Sequence, residues 1–445
     1  VFDFTWRRRS SRSRQLEHRL PDPHQGAVHG VPYSRPMKEN SMKAIVFHGI
    51  GDIRLDTVPD PGIRQPTDAI VRITASAICG TDLHMVRGTL GGMREGTILG
   101  HEAVGVVEAV GSDVRNFRAG DRVLVPSTIS CGACVYCRAG YTSQCDTAHP
   151  GGMRAGTAFF GGPKAAGSFD GLQAEYARIP HANASLIKLP DAIDDDRAIL
   201  LSDIFPTAWF GAELAEIRHG DTVAVLGAGP VGQFAIASAR LQGAGRVIAI
   251  DRVASRLDMA RAQGAESVDF DRDDPVETVL RLTGGIGVDR VIDAVGVDAI
   301  RYPSAAADPA QAGAFDAELD AVAPERHPDG ANWVPGNGPS QALTAATQMV
   351  AKAGTIGIVG VYPPQLRVFP IGEAMNRNLT LKMGNCNHRT IAPRLVELVA
   401  GGTFDPLSVL TQREPLMSAI DAYRMFDTRE PGWIKVKLEP SAGPR

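Results

Sequence analysis

Apolar residues fall in short runs along this chain, and their spacing changes character near residue 205. Between 43 and 127, β-rich runs at 44–47, 69–78, 103–110 and 122–125 are separated by Gly, Pro and Asp, with turns at Gly111-Ser112 and Ala119-Gly120-Asp121. Runs of this length bounded by turn residues predict a compact, largely β domain. Beyond 205 strands alternate with helices: strands at 221–226, 246–250, 267–270, 289–293, 355–361 and 379–383, helices at 233–241, 275–282 and 341–352. That alternation predicts an α/β fold with a doubly wound parallel sheet. Residues 301–340, rich in Ala, Pro, Gly and Asp, exceed a normal connection and are either functional or disordered.

The first forty residues follow neither pattern. Arg7-Arg8-Arg9-Ser10-Ser11-Arg12-Ser13-Arg14 leads into scattered Pro, His and Gly, a composition that predicts disorder. A secretory signal needs an apolar centre, which is missing, and Glu17 and Asp22 count against an organelle-transit peptide. Met42-Lys43-Ala44-Ile45-Val46-Phe47 reads as a domain start, so the stretch before it is expected to be an over-extended reading frame rather than a nucleic-acid-binding arm.

Composition narrows the function. A chain of 445 residues can bury a sizeable core without staples, and its net charge of −4 offers no general basic surface for nucleic acid. No run of eighteen apolar residues is present to span a membrane. Of six cysteines, four crowd between 131 and 145, which suits metal ligation in a reducing compartment better than a disulfide framework. The expectation is a cytoplasmic small-molecule enzyme.

The chemistry concentrates in Cys79-Gly80-Thr81-Asp82-Leu83-His84 and Gly100-His101-Glu102, placed by the pattern on loops after a strand. A thiolate, an imidazole and a carboxylate point to zinc with an open position, for which a third protein ligand must come from elsewhere. Asp82 is the candidate to orient His101 through its second ring nitrogen; Thr81 and His84 are candidates to carry a proton outward. Any one of these residues alone would read as an ordinary core or surface position. Cys131, Cys134, Cys137 and Cys145, spaced C-x2-C-x2-C-x7-C, would saturate a tetrahedral zinc and make that site structural. An iron–sulfur cluster fits less well, because the last gap is seven residues and Asp146, not Pro, follows.

A dinucleotide turn follows. Gly227-Ala228-Gly229-Pro230-Val231-Gly232 succeeds a strand, opens a helix, and has Asp251 at the end of the next strand, 24 residues after Gly227. Gly227 permits the turn, Gly229 the approach of a pyrophosphate and Gly232 close helix packing. Asp251 favours NAD over NADP, while Arg252 and Arg256 nearby soften that preference.

With these motifs in order, the chain from about 42 onward resembles the zinc-dependent medium-chain alcohol dehydrogenases. Within them it is most similar to the formaldehyde-dehydrogenase-like branch that needs no glutathione. The resemblance implies a Rossmann cofactor domain at 204–385, a zinc-containing catalytic domain of the GroES-like type at 42–203 plus 386–445, and a disordered extension at 1–41. It implies two zincs per chain and NAD. Asp203, in Leu201-Ser202-Asp203-Ile204-Phe205-Pro206-Thr207, becomes the third catalytic-zinc ligand beside Cys79 and His101, with Cys386 as the rival and a helix cap as the plain alternative. Glu102 is expected behind the ligands. Thr207 is expected beside the nicotinamide, Val295, Val359, Gly360 and Val361 along it, and Lys435 at the pyrophosphate. Gly80 departs from relatives that carry an arginine at the pyrophosphate. The implied reaction moves a hydride between NAD and a primary alcohol or hydrated aldehyde, with dismutation as a variant, in a homo-oligomer of two or four chains. A polyol or longer-chain alcohol dehydrogenase is the alternative enzyme, and a non-catalytic zinc and dinucleotide-binding redox sensor the alternative class.

Overall fold

A computed structural model describes residues 40–440. The disorder expected over 1–41 falls outside it except at the last two positions. There the expectation is corrected, because Ser41 already opens the strand Ser41–Gly49, paired through Ser41↔Pro59.

The β half is organised on the strand Ala69–Ile78, which is buried along almost its whole length because it has partners on both edges. Ala103–Val110 runs antiparallel on one side. Tyr176–Ile179 and the C-terminal strand Val436–Glu439 share the other, the latter through Val436↔Ile78 and Lys437↔Ala77. This pairing carries the far end of the chain to the residue before Cys79. Arg122–Val125, Ile187–Lys188 and Gln412–Pro415 extend this sheet, and Asp52–Pro59, Ser41–Gly49 and Thr97–Ile98 form a second, three-stranded one.

The α/β half is the predicted doubly wound parallel sheet, its six strands ordered third, second, first, fourth, fifth, sixth by position in the chain. Strand order reverses between Thr222–Leu226 and Val288–Asp293, and a crevice opens at the C-terminal ends of such strands. The helix Pro230–Leu241 starts at the glycine turn, three residues earlier than the pattern suggested, because Pro230 takes the first helical position where no N–H is needed. A Cβ on Gly232 would lie 1.9 Å from the Gly227 carbonyl oxygen, so only glycine allows this helix to sit so close. The predicted helix 341–352 is corrected at its end: it stops at Met349, and Val350 begins the strand Val350–Ile358.

Residues 301–340 are structured. Helices Pro303–Ala307 and Pro309–Val322 each take a proline in their first turn. Trp333, 1% exposed, then inserts against the helix Ala419–Asp427, with its backbone N–H donated to Asp427 Oδ2 at 2.7 Å. No helix among the described residues is long and apolar enough to cross a membrane.

Candidate metal centre and dinucleotide cleft

The stretch read as loop is partly helix: Gly80–Arg87 is helical, with Cys79 at its N-cap. Asp82 at the third helical position accepts the Cys79 N–H at 3.0 Å, closing the first turn, so the carboxylate beside His101 also caps this helix. Helix and strand together fix the Cys79 sulfur. His101 and Glu102 stand just before the strand Ala103–Val110, and Asp203 precedes the helix Ile204–Leu214.

These elements converge. One donor atom each from Cys79, His101, Glu102 and Asp203 lies within 4.8 Å of the others, and all four residues are buried. Asp203 Oδ2 is 3.4 Å from His101 Nε2 and 3.6 Å from Cys79 Sγ. The structure thus brings Asp203 into the cluster; Cys386 is buried nearby on the cleft wall but is not among the grouped donors. Asp203 does occupy a helix N-cap, yet its side chain makes no capping hydrogen bond, which leaves the carboxylate free for the cluster. Asp82 Oδ1 stands 3.1 Å from His101 Nδ1, close enough for attraction though not aligned as a hydrogen bond.

The donor set fits a zinc ion. A buried thiol, an imidazole and two carboxylates around one point make a concentration of acceptors that a dication would neutralise. Burial pushes the Cys79 thiol above its ordinary range, with His101 pulling the other way. Burial opposes the charged form of His101, but Asp82 and Asp203 hold the ring well above its ordinary value. Glu102 Oε2 is buried without a hydrogen-bond partner.

Two supporting residues were beyond the reach of the sequence. His388 opens the helix His388–Ala400, and its Nε2 lies 2.8 Å from Asp203 Oδ1 and 3.3 Å from Thr207 Oγ1. Lys435 requires a correction: it does not line the cleft toward a pyrophosphate. It is 0% exposed, with its ammonium donating to Glu102 Oε1 at 2.5 Å and the Ile78 carbonyl at 3.0 Å. The C-terminal strand pairing draws it beneath the metal cluster.

Cys131, Cys134, Cys137 and Cys145 group their sulfurs within 4.8 Å and form no disulfide. Backbone N–H groups of Ala133 and Cys134 point at the Cys131 sulfur at 3.4 and 3.3 Å, and those of Cys131 and Ala148 at Cys145 at 3.2 and 3.3 Å. Burial raises the Cys131 thiol, but the Ala133 and Cys134 N–H groups outweigh it and bring it to about 7, whereas burial dominates at Cys137 and Cys145 and pushes both thiols up.

A cleft of about 570 Å³ joins the metal cluster to the glycine turn. Thr81 and His84 line its metal end, with Thr207, Val295, Val359 and Val361 along the way. His84 Nδ1 lies 2.9 Å from Thr89 Oγ1, and burial lowers the ring's proton affinity while Asp298 works against that. At the far end Asp251 accepts N–H groups from Ala228 at 2.8 Å, Arg252 at 2.7 Å and Val253 at 2.9 Å, which fixes its carboxylate at the mouth of the turn. Arg252 leans outward onto Asp271; Arg256 stays beside Asp251 at 3.7 Å.

Comparison with known proteins supplies the family and the fold. A family profile described as the alcohol dehydrogenase GroES-like domain matches residues 65–191, and one described as zinc-binding dehydrogenase matches 230–309. The first bears out the GroES-like type expected of the β half. An uncharacterised zinc-type alcohol dehydrogenase-like protein, AdhB of Bacillus subtilis, is 37% identical over 90% of this chain and 100% of its own length. A glutathione-independent formaldehyde dehydrogenase of Pseudomonas aeruginosa is 40% identical over 58% of this chain and 66% of its own. Among solved structures, alcohol dehydrogenase TADH from Thermus sp. ATN1 superposes with a TM-score of 0.72 at 32% identity, covering 90% of this chain and all of that one.

Proposed function

The chain belongs to the zinc-type medium-chain alcohol dehydrogenase family, and on that premise we propose that it transfers a hydride between NAD and a primary alcohol or hydrated aldehyde of formaldehyde-like size. The observation that carries the reading is the sharing of one cleft by the Cys79, His101, Glu102 and Asp203 donors and the Gly227 turn.

Cys79, His101 and Asp203 would hold a zinc ion supplying Lewis acidity to the substrate oxygen, and NAD along the glycine turn would supply the hydride acceptor. The protein's own residues do the rest. Leu90, Phe159 and Pro163 form an apolar wall at the metal end, which favours a small substituent and limits water. Thr81 takes the hydroxyl proton and passes it on toward His84, which lines the same cleft. His388 holds Asp203, and Lys435 holds Glu102, so the ligands keep their aim. The four-cysteine lobe is assigned a second, structural zinc, in keeping with a reducing, cytoplasmic setting. For self-association as a dimer or tetramer we assign the edge strand Thr380–Met383, where Met383 is exposed.

The partial likeness to the formaldehyde enzyme and the carboxylate at position 203 favour the small-aldehyde branch over a polyol or longer-chain alcohol. The test follows reduced nicotinamide by absorbance, with NAD or NADP offered formaldehyde, several primary alcohols and a polyol, without glutathione, while NMR follows methanol and formate for dismutation. Turnover of the polyol alone would move the substrate class to the alternative. No turnover of any kind, together with unaltered zinc binding in Asp203→Ala, would sink the proposal.

A further inference from the structure

The dinucleotide cleft lacks both basic residues that the resemblance would place at the pyrophosphate. Gly80 has no side chain, and Lys435 is spent on Glu102. A diphosphate carries two negative charges, and the glycine turn supplies only N–H groups toward them.

Two guanidinium groups stand where a counter-charge is needed. Arg256 packs over the turn: a Cβ built on Gly229 would be 3.7 Å from its Nη1, and its carboxylate neighbour Asp251 lies beyond hydrogen-bond reach at 3.7 Å. Arg429, half-buried, lines the same cleft, and its guanidinium forms no hydrogen bond or ion pair among the described residues. Its charged neighbours locate it. Arg87 and Asp298 stand on the side of His84 and the metal, Arg256 and Asp251 on the side of the adenosine ribose. Burial, and then repulsion from Arg87 and Arg256, bring its proton affinity down to about 10. A half-buried cation pressed against like charges, at the midpoint of a dinucleotide cleft, is a site shaped for an anion.

The backbone at Arg429 makes the same point independently. The helix Ala419–Asp427 ends with Arg429 N–H bonded to the Phe426 carbonyl at 3.2 Å and Glu430 N–H to the Met425 carbonyl at 3.1 Å. In this termination the residue after the cap takes the left-handed conformation, which glycine adopts without strain. Arg429 occupies it at φ 57°. The fold alone would favour glycine there; a long cation at this position needs another reason.

We infer that Arg429, backed by Arg256, is the side chain that binds the cofactor's pyrophosphate, taking over from the missing arginine at position 80. This rests on the proposed NAD-dependent function and adds the residue that anchors the cofactor.

The experiment uses the zinc-loaded full chain, as wild type, Arg429→Gly and Arg429→Lys, titrated with NADH, NADPH, ADP-ribose and adenosine by fluorescence and calorimetry. Arg429→Gly should weaken NADH, NADPH and ADP-ribose alike by roughly 10- to 100-fold, the scale of a lost charge-assisted contact. Adenosine affinity should be unchanged and the thermal midpoint equal or higher, since glycine suits the backbone. Arg429→Lys should recover part of the loss. Undiminished NADH affinity in Arg429→Gly would overturn the assignment. So would a loss confined to NADPH, which would place the contact at a 2′-phosphate, or an equal loss for adenosine, which would mean a collapsed cleft. A wild type that binds no dinucleotide refutes the proposed function itself, whereas wild-type binding with an indifferent variant refutes Arg429 alone.

Discussion

His388 Nε2 lies 2.8 Å from Asp203 Oδ1, joining residues 185 positions apart in the chain. The opposite ring nitrogen of His388 faces Thr128 Oγ1 at 3.2 Å, so the imidazole is held on both sides and in turn fixes the carboxylate. Outer partners of this kind commonly set metal affinity by about 10- to 100-fold. His388→Ala should lower affinity at the catalytic zinc by that factor, measured by competition with a chromogenic chelator. Unchanged affinity would mean that the cluster positions Asp203 without help.

Glu102 and Lys435 are both 0% exposed and pair at 2.5 Å. Removing one partner of a buried pair leaves a charge without solvent, at a cost of about 3–5 kcal/mol, whereas replacing both by neutral groups often costs little. Lys435→Met should therefore unfold at markedly lower denaturant, and Glu102→Gln combined with Lys435→Met should recover most of the difference. A double variant no better than the single one would show that Lys435 acts through packing alone.

The four-cysteine lobe should behave as a separable metal site. Cys145→Ser is expected to reduce zinc from two ions per chain to one by elemental analysis and to lower the thermal midpoint. Mild chelation that strips the catalytic site should leave this ion in place, because four thiolates enclose it and no position is left open to the chelator. Equal loss of both ions under those conditions would contradict a closed structural site.

Arg87 donates to Asp427 at 2.8 Å and also pairs with Asp298, which is mostly buried. Burial alone would raise the Asp298 carboxyl, but Arg87 and then His84 hold it below the ordinary carboxylate range. A carboxylate depressed in the folded state adds stability that is complete above its unfolded value, about pH 4, and is lost as pH falls toward the folded one. Asp298→Asn should thus be less stable than wild type at pH 7, and the gap should narrow as pH is lowered from about 4 toward 2. Denaturant midpoints at pH 7 and under acid conditions check this; a gap constant with pH would show that charge is not the cause.

Legibility in the sequence followed locality. The strands at 69–78, 103–110 and 122–125 were readable end to end, since each is an apolar run between turn residues that packs where its own pattern points. The glycine turn and the cysteine spacing were readable because their chemistry needs residues close in the chain. The helix Gly80–Arg87 was hidden, since it buries Asp82, His84 and Arg87 alongside its apolar residues and shows no apolar stripe. His388 and Lys435 were hidden for a different reason. Each acquires its role from a partner more than 180 residues away, and nothing beside either residue announces that partner. Residues 301–340 concealed Trp333, whose burial depends on the helix Ala419–Asp427 that comes later in the chain.

The strand Val436–Glu439 closes against Ala69–Ile78, and Lys435 reaches Glu102 only through that closure. Synthesis therefore produces the metal-binding residues first and their counter-charge last. A nascent chain halted short of residue 435 would already carry Cys79, His101, Asp203 and Glu102, but with Glu102 unneutralised and its sheet edge open.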